Sequence, residues 1–181
     1  MLLRRLIVGN LHTNCYLVAA GKKGQGVIID PGGSLERITE ASEKEGLSVK
    51  YIINTHGHPD HVAADTALAR LTGATIAIHP LDLAWNPLDW GESPSTVSPS
   101  TVSSGQSNCS VLKLSDAMIL EVGALKLKVI HTPGHTPGSV CIYLDGILFT
   151  GDLLFQGSVG RTDFPGGSSA DLMRSLREKI V

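Results

Sequence analysis

The segment Tyr51-Ile52-Ile53-Asn54-Thr55-His56-Gly57-His58-Pro59-Asp60-His61 decides how the rest of the chain is read. Its first three residues are β-prone and deliver the backbone into a tight polar segment. Three imidazoles and one carboxylate follow within six residues, and they account for three of the seven histidines in the chain. Imidazole suits zinc, iron, copper and nickel, and a carboxylate beside it suits catalytic versions of such sites. A polar loop with coincidental histidines is the alternative, and the clustering argues against it. Gly57 and Pro59 predict a loop rather than a helix between the ligands.

On the N-terminal side, residues 2–8 and 15–19 read as two strands, and 27–29 as a third that ends in Asp30 before a Gly-rich loop. Asp30 is either a partner that orients a metal-bound histidine or a turn-stabilising Asp; the two readings stand level. Ser34 is the expected N-cap of a helix running to Glu45 and stopped by Gly46. The strand 49–53 feeds the opening segment. After it come a helix-prone Ala-rich stretch, 62–71, closed by Gly73, and a strand, 74–78, ending at His79, to which a structural or surface role is assigned.

Further along, 117–122 and 125–130 pattern as a hairpin. The second of these strands runs into His131-Thr-Pro-Gly-His135. Strands 140–144 and 147–150 flank Asp145-Gly146, a strong two-residue hairpin signal, and the second leads to Gly151-Asp152. Arg161 lies in the Gly-rich loop 157–167, able to grip a substrate carboxylate or to form a structural salt bridge. A last helix is expected over 170–179 with Ser169 as N-cap. The recurring theme is an apolar strand followed by a loop bearing a ligand-type residue, at Asp30, at 56–61, at His135 and at Asp152. Such a site is assembled from non-local parts on a β scaffold.

The 181 residues read as a single domain, 1–181, and 42% apolar composition argues against disorder. A net charge of −2 and the lack of a basic block give no footprint for nucleic acid. Three widely spaced cysteines, Cys15, Cys109 and Cys141, fit buried or free thiols better than a disulfide framework, which places the protein in the cytoplasm. No stretch is long enough to span a membrane. Residues 86–110 are rich in Ser, Thr, Pro and Gly and contain Ser-Pro-Ser-Thr-Val twice. They read as a low-complexity surface insertion, a tolerated loop in preference to a lid.

These motifs carry a family resemblance. His-Gly-His-Pro-Asp-His (56–61) is similar to the His-x-His-x-Asp-His signature of the metallo-β-lactamase fold. His131-Thr-Pro-Gly-His135 and Thr150-Gly-Asp152 match the next two ligand motifs of that family, and 14–17 and 29–32 resemble its early β motifs. The resemblance implies an α+β fold, a four-layer αβ/βα sandwich, with a binuclear centre. By that likeness His56, His58 and His135 hold one metal, and Asp60, His61 and Asp152 the second, with Asp152 bridging and His131 outside the ligand set. Two divalent metals are expected, zinc first, with iron or manganese as alternatives. Residues 151–167 resemble the glyoxalase II-related hydrolases, which cleave glutathione thioesters, and their Gly-Arg-Thr-Asp run also resembles persulfide dioxygenases.

The resemblance therefore implies hydrolysis of a small-molecule thioester, such as a hydroxyacylglutathione, by a hydroxide held at the metals. Asp60 orients that hydroxide and relays a proton. The family's last ligand, a His in a Pro-Gly-His-Gly motif, has no counterpart after His135. The expectation is thus a chain lacking the sandwich's C-terminal strand and helix, with an incomplete, weaker second site, an open sheet edge and reduced activity. The alternatives are a mononuclear iron persulfide dioxygenase using His56, His135 and Asp152, and a metal-binding fragment impaired in catalysis.

Overall fold

The computed structural model describes residues 1–85 and 109–180. Its first sheet holds six strands in sequential order: β1 (Leu2–Val8), β2 (Thr13–Ala19), β3 (Gln25–Ile29), β4 (Ser48–Ile53), β5 (Thr75–Ile78) and β6 (Val111–Lys113). The first three pair antiparallel and the last three join parallel. The second sheet is antiparallel, built from β7 (Ile119–Val122), β8 (Leu125–His131), β9 (Val140–Leu144) and β10 (Ile147–Phe149) in the order β10-β9-β8-β7.

Alternation along the strands explains the layering. Ile28, Ile52 and Ile76 are cross-strand neighbours, as are Ile29, Ile53 and Ala77 one residue later. Successive side chains point to opposite faces. The second set enters the core between the sheets, with Leu120, Leu127, Val129, Ile142 and Phe149 from the second sheet. The first set packs outward against Ile38 and Ala41 of α1 (Leu35–Glu45) and Leu68 and Ala69 of α3 (Asp65–Thr72). On the far side, Leu172 of α4 (Ser169–Ser175) and Leu176 cover Cys141. The result is the α/β/β/α sandwich of the metallo-β-lactamase fold. Each fully buried Ile contributes about 1.5–3 kcal/mol.

This arrangement gathers the loops of interest. Strands β3, β4 and β5 are parallel, so the segments after Ile29, Ile53 and Ile78 leave one edge. In the second sheet β8 and β10 both pair antiparallel with β9, so the segments after His131 and Phe149 also leave a common edge. The bond from Val140 N–H to the Thr55 carbonyl, 2.8 Å, ties the two edges together.

Several local expectations are corrected. Pro59 does not prevent a helix. It is the first residue of a one-turn helix, α2 (Pro59–Val62), where its fixed φ and missing N–H suit an N-terminus. Ser34 precedes α1 in a left-handed conformation with no side-chain cap, and its hydroxyl accepts instead from Gly9 N–H. Ser168, not Ser169, caps α4 by accepting from Asp171 N–H, and a π-helical turn, Leu176–Ile180, follows. β6 and the two-residue strands β11 (Leu154–Phe155) and β12 (Ser158–Val159) had no sequence pattern long enough to be seen. Ala117 has positive φ, so β7 starts later, at Ile119. Asp145 and Gly146 both have positive φ, as a two-residue hairpin turn requires. Residues 86–108 of the insertion lie outside the described residues, while Ser110 already pairs through its carbonyl with Ile76 N–H.

Candidate metal centre

His56 and His58 leave β4 through Asn54 and Thr55, and α2 then presents Asp60 and His61 on its single turn. His135 comes from the loop after β8, and Asp152 from the short 3-10 turn Gly151–Leu153 after β10. The side chains converge. The ring centroid of His56 lies 4.8, 4.1 and 4.7 Å from those of His58, His61 and His135. His58 Nδ1 is 2.9 Å from His135 Nε2. Two groups, His56/His58/His135 and His56/His61/Asp152, each place their donor atoms within 4.8 Å of one another and could hold a metal ion. Asp152 lies between them, Oδ1 at 3.2 Å from His61 Nε2 and Oδ2 at 3.5 Å from His135 Nε2. Asp60 stands at the margin, 3.5 Å from His61 Nε2, and accepts from Thr13 Oγ1.

The protonation pattern suits metal binding. Burial, then the neighbouring imidazoles, holds His56 well below the usual histidine range. Burial and then His135 also lower His58, against the nearby carboxylates. Neutral imidazoles offer the lone pairs that a cation needs. His56 Nε2 is buried without a hydrogen-bond partner while its Nδ1 faces Thr55 Oγ1, an orphaned donor atom of the kind a metal satisfies. Burial also opposes charge on His61, but Asp30 and Asp152 override it and raise the group to about 10. Burial likewise pushes Asp152 up, and its bond to His61 more than offsets this, leaving it below the usual carboxylate range. The negative potential around His61 is one that a divalent ion would share.

Partners outside the donor groups fix the ring orientations. Asp30, with its backbone in the left-handed region, accepts from Thr55 N–H at 2.7 Å and Thr55 Oγ1 at 2.8 Å, and its Oδ2 lies 3.2 Å from His61 Nδ1. Its carboxylate therefore reaches His61 and the segment after β4, and among the described residues its side-chain bonds are to Thr55 and not within its own turn. His135 Nδ1 donates to the Arg161 carbonyl at 2.7 Å, which directs Nε2 into the centre. Two glycines permit the packing. A Cβ on Gly32 would sit 1.5 Å from the Asp60 carbonyl oxygen, and one on Gly160 would sit 1.6 Å from that of Asp152.

Arg161 is more occupied than the sequence implied. Its guanidinium forms a two-pronged pair with Asp163 at 2.7 and 2.6 Å, and lies 3.9 Å over the Phe164 ring. Phe164 in turn meets His58 edge-on, with centroids 5.4 Å apart. Phe164, Thr13 and Thr55 escaped the sequence reading because none is a ligand type and their partners are distant in the chain. His79 and His131 stack on each other away from the centre, with ring centroids 4.3 Å apart. A cavity of about 410 Å³ opens on Asp60, His61 and Asp152, bordered by Thr13, Tyr16 and Phe155. Burial raises the thiols of Cys15 and, to about 11, of Cys141, so both are packing groups.

A sandwich with two overlapping nitrogen and oxygen donor groups at the joined edge of its sheets defines a metal-binding hydrolase scaffold. The chain belongs to the metallo-beta-lactamase superfamily, whose family model matches residues 8–181. It is similar to hydroxyacylglutathione hydrolase GloC from Haemophilus influenzae, 33% identical over 93% of this chain and 79% of that protein. Among solved structures it resembles BLEG-1 B3 metallo-beta-lactamase, with a TM-score of 0.83 and 33% identity over 99% of this chain and 85% of that one. It also resembles ETHE1 from Myxococcus xanthus, with a TM-score of 0.75 and 29% identity over 99% and 70%. Members of the superfamily are hydrolases that bind divalent metals. Among the described residues no helix is long and apolar enough to cross a membrane.

Proposed function

We propose that this protein is a cytoplasmic metal-dependent thioesterase acting on small glutathione-linked substrates of the hydroxyacylglutathione class. The observation behind the reading is the pair of overlapping donor groups with Asp152 between them. His56, His58 and His135 would hold one ion, and His61, Asp60 and Asp152 the other. Zinc is the first choice for this donor set, with iron or manganese as alternatives. When bound, such ions polarise an acyl carbonyl and lower the pKa of water toward neutrality. The chain's own part is positional. Asp60 borders the cavity, where it can orient the attacking water and take up its proton. Tyr16 and Phe155 supply aromatic lining to that cavity. Arg161, exposed and held by Asp163, is placed to meet a substrate carboxylate only by exchanging that partner.

The contact between His135 and Asp152, together with His56, also supplies two imidazoles and a carboxylate. That set favours a second reading, an iron persulfide dioxygenase. Turnover of a hydroxyacylglutathione, oxygen uptake with glutathione persulfide and opening of a chromogenic β-lactam separate the activities. Thioester hydrolysis that stops on chelation and returns with zinc is the expected result. Oxygen uptake by an iron-loaded protein without thioester turnover would replace it with the second reading. Metal uptake without any turnover would leave only a metal-binding protein.

A further inference from the structure

Asp82 is fully buried in the 3-10 turn Pro80–Trp85 after β5 and lies outside both donor groups. Its Oδ2 accepts from Gly57 N–H at 2.9 Å and from Thr136 Oγ1 at 2.6 Å, and its Oδ1 accepts from Gly138 N–H at 2.7 Å. Gly57 separates His56 from His58, and Thr136 follows His135. One carboxylate therefore holds the backbone of two ligand-bearing loops that come from different sheets. The turn bearing it is itself fixed by Asp82 N–H donating to the His79 carbonyl at 3.0 Å. Two of the three partners are peptide N–H groups, which only donate, so the site demands a group that only accepts. An ionised carboxylate meets that demand. An amide of the same shape would turn an NH2 toward a donor and lose at least one bond. Among the described residues no Lys or Arg pairs with Asp82.

We infer that Asp82 is the positioning residue that sets the separation of His58 and His135, and so the affinity of the three-histidine site. The inference rests on the reading of His56, His58 and His135 as ligands. Partners of this kind change metal affinity by roughly 10- to 100-fold when removed. Asp82 reaches neither His61 nor Asp152, so its effect falls on the three-histidine ion.

The test compares the full chain with Asp82→Asn, Thr136→Val and Leu120→Ala. Leu120 is buried in the core between the sheets and belongs to β7, which carries none of the proposed ligands. Zinc affinity is measured by competition with a chromophoric chelator, the cobalt absorption spectrum by titration, and the melting temperature on the metal-free proteins. Asp82→Asn should bind its first zinc about 10- to 100-fold more weakly with an altered cobalt spectrum. Thr136→Val, which removes one of the three bonds to Asp82 together with the Thr136 Oγ1–Ser139 Oγ contact, should show a smaller loss in the same direction. Leu120→Ala should melt earlier with unchanged affinity and spectrum. Unchanged zinc affinity in Asp82→Asn, or in Thr136→Val if Asp82→Asn does not fold, would overturn the inference and leave the metal reading standing. So would an equal loss of affinity in Leu120→Ala. A parent chain that takes up no zinc would overturn the metal reading, and this inference with it.

Discussion

His61 is the residue on which proton and metal chemistry meet. In the metal-free chain the Asp30 and Asp152 carboxylates raise it to about 10 against the cost of burial. Because the folded value exceeds the unfolded one, the stability it contributes is fully present below pH ~6.5 and is lost as pH rises toward 10. Metal at this position must displace that proton. The affinity of the ion at His61 should therefore rise about tenfold per pH unit between pH 7 and 9, while the three-histidine ion, whose His56 and His58 are already neutral, should vary little. A calorimetric titration at several pH values checks this, and a pH-independent second ion would contradict it. At this scale the donors were readable in the sequence because four of them fall within six residues. Asp82, Thr55 and the Arg161 carbonyl were not, since each acts on a donor through a partner brought near only by folding.

Secondary-structure elements were legible in proportion to their length. The apolar runs of β3 and β4, the alternation in β8 and the turn at Asp145-Gly146 are strong local signals, and α1 and α3 end in left-handed glycines at Gly46 and Gly73. The single turn of α2 was hidden because a proline at its first position reads as a breaker when the turn is too short to show periodicity. The segment after Asp152 depends on close backbone approach. A Cβ on Gly160 would overlap the Asp152 carbonyl and lies 3.5 Å from His135 Nδ1. Gly160→Ala should consequently displace Asp152 and lower thioester turnover by on the order of 100-fold, with the circular dichroism of the fold retained. Wild-type turnover in that variant would show that the loop can move without disturbing the centre.

At the level of the whole molecule, the sandwich brings the centre together by making the ligand-bearing segments leave matching edges of two sheets. The repeated strand-then-ligand pattern of the sequence points to that assembly. It did not show that Val140 and Thr55 would lock the edges together, or that Asp82 would brace two loops across them. In the proposed metal-dependent hydrolase the first ion rests on three buried histidines and the second on His61, Asp60 and Asp152. The most direct measurement titrates zinc into the metal-free 181-residue chain while following hydrolysis of a hydroxyacylglutathione. One tight ion, a second weaker ion, and activity that appears with the ions and vanishes on chelation are predicted. Hydrolysis that persists after thorough chelation, or a chain that binds no zinc, iron or manganese, would contradict it.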